Sequence, residues 1–232
     1  RRRRRRHSPR GGTTARFLGV DTATSGAAWI GRYGSRGYVV FGRVGDDEDR
    51  TANVTRLPGF VRRVSALAWT AKPAHVLAWN ATTDDARALA RPPDEQQRDP
   101  TATVAARITS SKQASFTVDV VVDADALGTT TGRRLAYNVS LYCVDFAREG
   151  IAQNVRVTKL SSRGDHLEVL EDLVVLRSFE NGAYLTYEVG CDDARPDALC
   201  GSLRFRVFEM YDAVSEPFGF PPKPVLSGIF FD

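Results

Sequence analysis

The sequence predicts an all-β fold, an antiparallel two-sheet β-sandwich of about eleven strands with at most one short helix. Three observations lead there. Apolar residues recur at every second position over much of the chain, which is the spacing of half-buried strands. Clusters of Gly, Pro, Asp and Asn separate these runs at turn-like intervals. Helical periodicity is scarce, so the apolar strand faces must be buried by a second sheet or by closing a barrel, and a sandwich is the simplest solution at 232 residues.

The chain opens on "RRRRRRHSPR", where six adjacent like charges repel one another and offer no apolar face to bury. Residues 1–16 are therefore expected to be a disordered Arg-rich tail or linker, and residues 17–232 a single domain. Because the first residue is Arg1 and not Met, a fragment or processed form is expected. The formal charge of +4 belongs to this tail. Without its seven arginines, 25 basic residues face 28 acidic ones, so the domain itself is mildly acidic and no nucleic-acid partner is expected. No apolar run approaches the roughly 20 residues that cross a bilayer as a helix, and no membrane partner is expected either.

The strands follow in order. "SFTVDVVVD" sets Phe116, Val118, Val120 and Val122 on one face, with Ser115, Thr117 and Asp119 on the other. "AYNVSLYCVDF" does the same with Tyr137, Val139, Leu141 and Cys143 against Asn138, Ser140 and Tyr142. "SLRFRVFEM" turns Leu203, Phe205 and Val207 inward and Arg204 and Arg206 outward. Further apolar runs lie at 38–41, 61–67, 75–79, 103–108, 153–160, 166–176, 184–189 and 225–231. The best helical candidate is "TTDDARALAR", where Thr83 or Asp84 caps a short turn before Pro92 and Pro93 stop it.

Cys191 and Cys200 flank a loop between two strand-like segments, and a disulfide there would tie its base. Cys143 reads as a small buried hydrophobe. That bridge, with sequons at Asn53, Asn80 and Asn138, points to an extracellular or cell-surface location.

Enzymatic chemistry finds little footing. The glycine-rich stretch Gly19 to Gly42 has no Lys-Ser/Thr pair opening a helix and no G-x-G-x-x-G, so it is not a phosphate loop. His75 and His166 sit at strand edges without a partner motif, so no triad or zinc site assembles. The clustered carboxylates of "GDDEDR", residues 45–50, could hold a structural calcium, but they lack EF-hand spacing and a solvated charged loop is the favoured reading, so no cofactor is expected. What remains is aromatic: Trp29, Tyr33, Tyr38, Trp69 and Trp79 lie in or beside loops rich in Gly, Thr, Ser and Asp. Such mixtures recognise sugars, with a ring packing on the C–H face of a pyranose and polar groups bonding its hydroxyls, although the same rings also fill sandwich cores.

Five ordered blocks carry a resemblance. "DTATSGAAWIGRYGSRGY" fills a D-T-x-T-x-G-x-W-x-G-x-Y-G-x-x-G-Y pattern with one added residue, and "WNATTDDARAL", "SLYCVDF", "SFENGAYLTYEV" and "VLSGIFFD" follow in sequence. The chain resembles a β-sandwich domain found at the end of large bacterial carbohydrate-active and cell-surface proteins. The resemblance implies a jelly roll of galactose-binding type and a noncatalytic accessory module, with carbohydrate as partner and a neighbouring catalytic domain in the full-length protein. Trp79, Tyr33, Asp21, Arg87 and Asp84 are the candidate sugar contacts. Trp29, Gly31, Gly34 and Gly37 are read as structural, the tryptophan plugging one end of the core and the glycines allowing tight turns and close backbone approach. Two alternatives stand beside this reading: a structural or protein-interaction sandwich without glycan binding, and a glycoside hydrolase fragment, which needs two convergent carboxylates.

Overall fold

The computed structural model describes residues 12–44, 51–68, 75–92, 103–109, 115–123, 126, 135–160, 168–191, 199–210 and 223–232. Its strands, numbered in chain order, form three sheets in which every pairing is antiparallel. The six-stranded sheet runs β1 (Thr13–Asp21), β12 (Ala183–Cys191), β9 (Leu135–Cys143), β14 (Gly228–Phe231), β2 (Gly37–Val44), β3 (Thr51–Arg56). The five-stranded sheet runs β11 (Val169–Leu176), β10 (Gln153–Lys159), β13 (Leu203–Glu209), β8 (Ser115–Val122), β4 (Val61–Ala68). A small third sheet joins β5 (His75–Thr83), β7 (Thr103–Thr109) and β6 (Leu89–Ala90).

The chain crosses between the large sheets repeatedly, from β8 to β9 to β10 and from β11 to β12 to β13 to β14, and so builds a two-sheet antiparallel sandwich. The period-two pattern is what drives this. Phe116, Val118, Val120 and Val122 of β8 and Leu203, Phe205 and Val207 of β13 all enter the core between the sheets, opposite Tyr137, Val139, Leu141 and Cys143 of β9. Their removal from water supplies the main stabilisation of the sandwich, at roughly 1.5–3 kcal/mol for each large apolar side chain.

Fourteen strands are present among the described residues, against about eleven expected. The additions are β1, β3 and β6. In β1 the pairing register shifts at a bulge between Phe17 and Gly19, and Leu18 and Val20 are exposed, so its apolar residues do not mark a buried face. The edge strand β3 is largely polar, and β6 has two residues. β1 begins at Thr13, ahead of the domain start expected at Phe17, while residues 1–11 lie outside the described residues.

The helix expected within 82–91 does not form. Asp85 N–H donates to Thr83 Oγ1, Arg87 N–H donates to Asp85 Oδ1, and Ala88 N–H donates to the Asp85 carbonyl, so the chain makes a turn. Leu89 and Ala90 then pair with Val104 and Thr103 of β7. Side-chain acceptors at Thr83 and Asp85 capture the N–H groups a helix would have used, and the waiting strand takes the next residues. One 3-10 turn, Gly26–Ala28, is the helical segment among the described residues.

Cys191 and Cys200 form a disulfide, joining the end of β12 to the segment that enters β13 and hence one large sheet to the other. Close by, Gly201 N–H donates to Thr13 Oγ1 and Tyr137 Oη–H to the Gly201 carbonyl. Cys143 is a buried free thiol, pushed up to about 12 by burial, against which a hydrogen bond with Gln153 works only weakly. A thiol so strongly held in its protonated form has no nucleophilic role.

Candidate functional site

The six-stranded sheet carries buried hydrophobic residues on both faces. Opposite the main core, Trp29, Tyr38, Val40, Leu89, Tyr142, Val144, Tyr184 and Phe230 form a second hydrophobic cluster. Seven of the eight, all but Val40, come from the five sequence blocks of the resemblance, which lie far apart in the chain and meet here. The cluster is roofed by the residue 22–36 loop and by the turn leading to β6.

Polar tips tie this roof to the sheet. Trp29 Nε1–H donates to the Ala90 carbonyl at 2.9 Å, Tyr142 Oη–H to the Arg87 carbonyl at 2.6 Å and Tyr184 Oη–H to the Ser25 carbonyl at 3.2 Å. Burial pushes the phenols of Tyr142 and Tyr184 up, so they stay protonated donors. Trp29 is therefore buried in the second cluster on the outer side of the sheet, and not at the end of the core between the sheets. Gly31 and Gly34 take positive φ, and a Cβ on Gly37 would lie 2.5 Å from the Arg56 carbonyl oxygen. Gly34 and Ser35 N–H groups donate to the Asp232 carboxylate, closing the loop on the last residue of the chain.

The five candidate contacts fall along this roof. Asp21 accepts from the Ala23 and Thr24 N–H groups, from Thr24 Oγ1 and from Tyr33 Oη, and Arg32 Nη2 lies 3.2 Å from it. Burial pushes its carboxyl up, but the hydrogen bonds from Thr24, Tyr33 and the two backbone groups outweigh this and hold it at about 2. Tyr33 stacks on Tyr184 with ring centroids 4.1 Å apart, and its phenol is pushed up by burial and by its bond to Asp21. Tyr184 in turn packs on Tyr142, whose hydroxyl reaches Arg87.

Arg87 is committed through four of its five N–H groups. Its guanidinium grips Asp85 through Nε and Nη2, donates to the Phe146 and Glu180 carbonyls through Nη1, and lies 4.6 Å above the Phe146 ring. The Arg87 hydrogen bond keeps the Asp85 carboxyl below its ordinary value. Phe146 stacks at 5.6 Å on half-buried Trp79. A continuous line of contacts thus runs from Asp21 through Tyr33, Tyr184, Tyr142, Arg87 and Phe146 to Trp79. Asp84 is exposed at its side, and its neighbour Asp85, which the sequence reading passed over, is the partner of Arg87.

Sequence reasoning also missed Asp145 and Phe146, although both stand in the "SLYCVDF" block. Buried Asp145 accepts the N–H groups of Glu149, Gly150 and Ile151 and so fixes the loop that presents Phe146. An acidic residue directly followed by an aromatic at a strand end was the available signal. Among the described residues no group of three His, Cys, Asp or Glu is placed to hold a metal ion; the "GDDEDR" stretch and Trp69 lie outside them. No helix is long and apolar enough to cross a membrane among the described residues.

No protein-family model matches the chain, and no curated protein matches it. Among solved structures it is similar to a family 35 carbohydrate-binding module from Clostridium thermocellum, at 7% identity and a TM-score of 0.32, over 73% of this chain and 97% of that module. A second similarity is to a structure described for carbohydrate-binding modules of the β-sandwich superfamily, at 10% identity and a TM-score of 0.16, over 87% of this chain and 98% of the other. Neither likeness is close enough to transfer a residue or a ligand, and the sandwich stands on the strand pairing described above.

Proposed function

We propose that this domain is a noncatalytic carbohydrate-binding module of an extracellular or cell-surface protein, using the roof of the second cluster as its platform. The observation that carries the reading is the Trp79–Phe146 stack with the Arg87 guanidinium fixed over Phe146. Phe146 is fixed by a guanidinium that four acceptors immobilise, and half-buried Trp79 stacks on Phe146, so a sugar ring meeting the exposed part of Trp79 finds a surface that loses little freedom on binding. Tyr33, stacked and hydrogen-bonded, and Arg32, with 60% of its side chain exposed, supply a second part of the same rim. Asp21 and Arg87 act as positioning residues, because their polar atoms are taken by the protein itself; Asp84 is a direct contact. The disulfide between the two sheets supports an oxidising compartment.

Titrating the domain against a glycan panel tests this. Trp79→Ala should weaken binding of whichever glycan is captured by about tenfold or more, in keeping with the loss of an aromatic platform. Absence of any bound glycan, or affinity indifferent to both Trp79→Ala and Tyr33→Ala, removes the reading.

One observation favours the protein-interaction reading instead. Leu18 and Val20 of β1 and Val169, Leu173 and Val175 of β11 are 42–55% exposed, and these two strands are the facing edges of the two large sheets. Such a seam suits packing against a neighbouring domain. A Leu173→Lys, Val175→Lys double variant that leaves glycan affinity intact while freeing this domain from its neighbour in the full-length protein would support that second role.

A further inference from the structure

The roof covers only part of the outer face of the six-stranded sheet. Toward the start of β1 the face is open, and a cavity of about 470 Å³ lies there, lined by Thr14, Ala15, Arg16, Ala136, Glu171, Glu188 and Gly190. Its volume falls within the range of roughly 300–1,000 Å³ typical of small-ligand pockets. The cavity is built by register. Thr14 pairs with Gly190 and Gly190 with Ala136, so three small residues lie side by side across β1, β12 and β9 and leave a depression. The next row places Arg16 beside Glu188, with Arg16 Nε and Nη2 both donating to Glu188 Oε2 at 2.9 and 2.7 Å. From the facing edge of the other sheet, Glu171 Oε2 accepts the Phe17 N–H at 2.7 Å and its Oε1 the Asp172 N–H at 3.1 Å.

The lining has no aromatic or large aliphatic side chain, which disfavours an apolar ligand. It has two carboxylates and one guanidinium, so its net charge is negative, which disfavours uronates, sulfates and phosphates. Each carboxylate oxygen offers two acceptor directions, and the internal bonds fill only part of that capacity. The cavity is rich in acceptors and poor in donors. Its complement is a small polar ligand rich in donors, with hydroxyl groups and a positive charge.

We infer that this cleft is a second subsite that takes an amino-sugar residue with a free, protonated amine, the ammonium lying between Glu171 and Glu188 and the ring hydroxyls against Thr14 and Arg16. The inference rests on the carbohydrate reading above and names a substrate class within it, at a site separate from the Trp79 platform. A small-residue floor admits a pyranose ring, while an N-acetyl group would both remove the charge and add bulk.

The test titrates the whole protein with a glucosamine tetramer, its fully N-acetylated counterpart, a neutral glucose tetramer and a lysine-rich peptide. The glucosamine tetramer should bind about tenfold or more tightly than the acetylated and neutral tetramers, and its affinity should fall as salt is raised. Glu171→Gln, which keeps a carbonyl for the Phe17 N–H and removes the charge, should abolish that preference. Ala136→Leu, which fills the depression from an exposed position, should do the same, with unfolding curves of both variants showing that the fold is retained. Equal binding of the acetylated tetramer, a preference that survives both variants, or capture of the peptide without the amino-sugar overturns the inference. If the glucosamine tetramer fails while a panel glycan still binds through Trp79, this inference alone is lost. If no glycan binds at all, the carbohydrate reading falls with it.

Discussion

The two halves of the outer face of the six-stranded sheet are built on opposite principles. The covered half is apolar and tied down: Tyr142, Tyr184 and Phe230 lie under a roof fastened by hydrogen bonds from Trp29, Tyr142 and Tyr184 to the Ala90, Arg87 and Ser25 carbonyls. The open half is small and polar, with Arg16 and Glu188 beside a floor of Thr14, Ala136 and Gly190. Strands β12 and β9 carry both. The polar atoms of Asp21 and Arg87 in the first half are engaged by the protein itself, so its surface recognises mainly through ring faces, whereas Glu171 and Glu188 in the second keep acceptor capacity that their internal bonds leave open. The five sequence blocks mark the covered half, so what they record most directly is how the roof is fastened.

That contrast can be broken by experiment, beginning with the largest effect. Phe230→Ala removes a fully buried ring touching Trp29 and Tyr184 and should cost about 3–5 kcal/mol, read as a shifted denaturation midpoint. A loss below ~1 kcal/mol would show that the roof is not part of the cooperative fold. Breaking the disulfide with Cys191→Ala and Cys200→Ala should cost about 2–3 kcal/mol for a closure of this length, since the separation is 9 residues. Cys191 adjoins Gly190, so this pair asks whether the open half depends on a covalent tie where the covered half relies on packing. Tyr142→Phe keeps the ring and leaves the part-buried Arg87 carbonyl without this donor, for about 1–2 kcal/mol. By contrast Arg16→Ala, at a side chain 69% exposed, should change stability by less than ~0.5 kcal/mol while altering the cleft.

Acid sharpens the same comparison. The Asp21 carboxyl sits at about 2 in the folded protein, below the value of about 3.9 expected when unfolded. The unfolded chain therefore binds more protons between those values, and stability present above about pH 4 is lost as pH falls toward 2. Asp85, also lowered, acts with the same sign. Denaturant midpoints measured across that window should fall less steeply in Asp21→Asn than in the parent. Parallel curves would show that Asp21 does not couple the roof to pH.

The sandwich could be read because strand alternation is a local property: Phe116, Val118, Val120 and Val122 declare one buried face without reference to any partner. The second cluster was half legible. Tyr142 was placed on the outward face of its strand, as it is, but an alternating strand carries no sign of what covers its other side. Trp29 reads from the sequence as a plug at one end of the core, whereas it fills the second cluster on the outer face. The "DDARAL" turn misled for a related reason, since its helix-like pattern yields to Thr83 and Asp85 as acceptors and to β7 as a pairing edge. Asp85 and not Asp84 grips Arg87, a choice made by the direction in which the turn points each carboxylate.

Taken alone, the amino-acid sequence determined the all-β class, the inward residues of the principal strands and the pair of cysteines able to bridge, because periodicity and local turn chemistry act over a few neighbouring residues. Only the tertiary structure decided that five distant segments meet as one roof, and that Arg16, Glu171 and Glu188 share a cleft. Those juxtapositions arise from pairing register and from the packing of strands remote in the chain, and no local pattern specifies either.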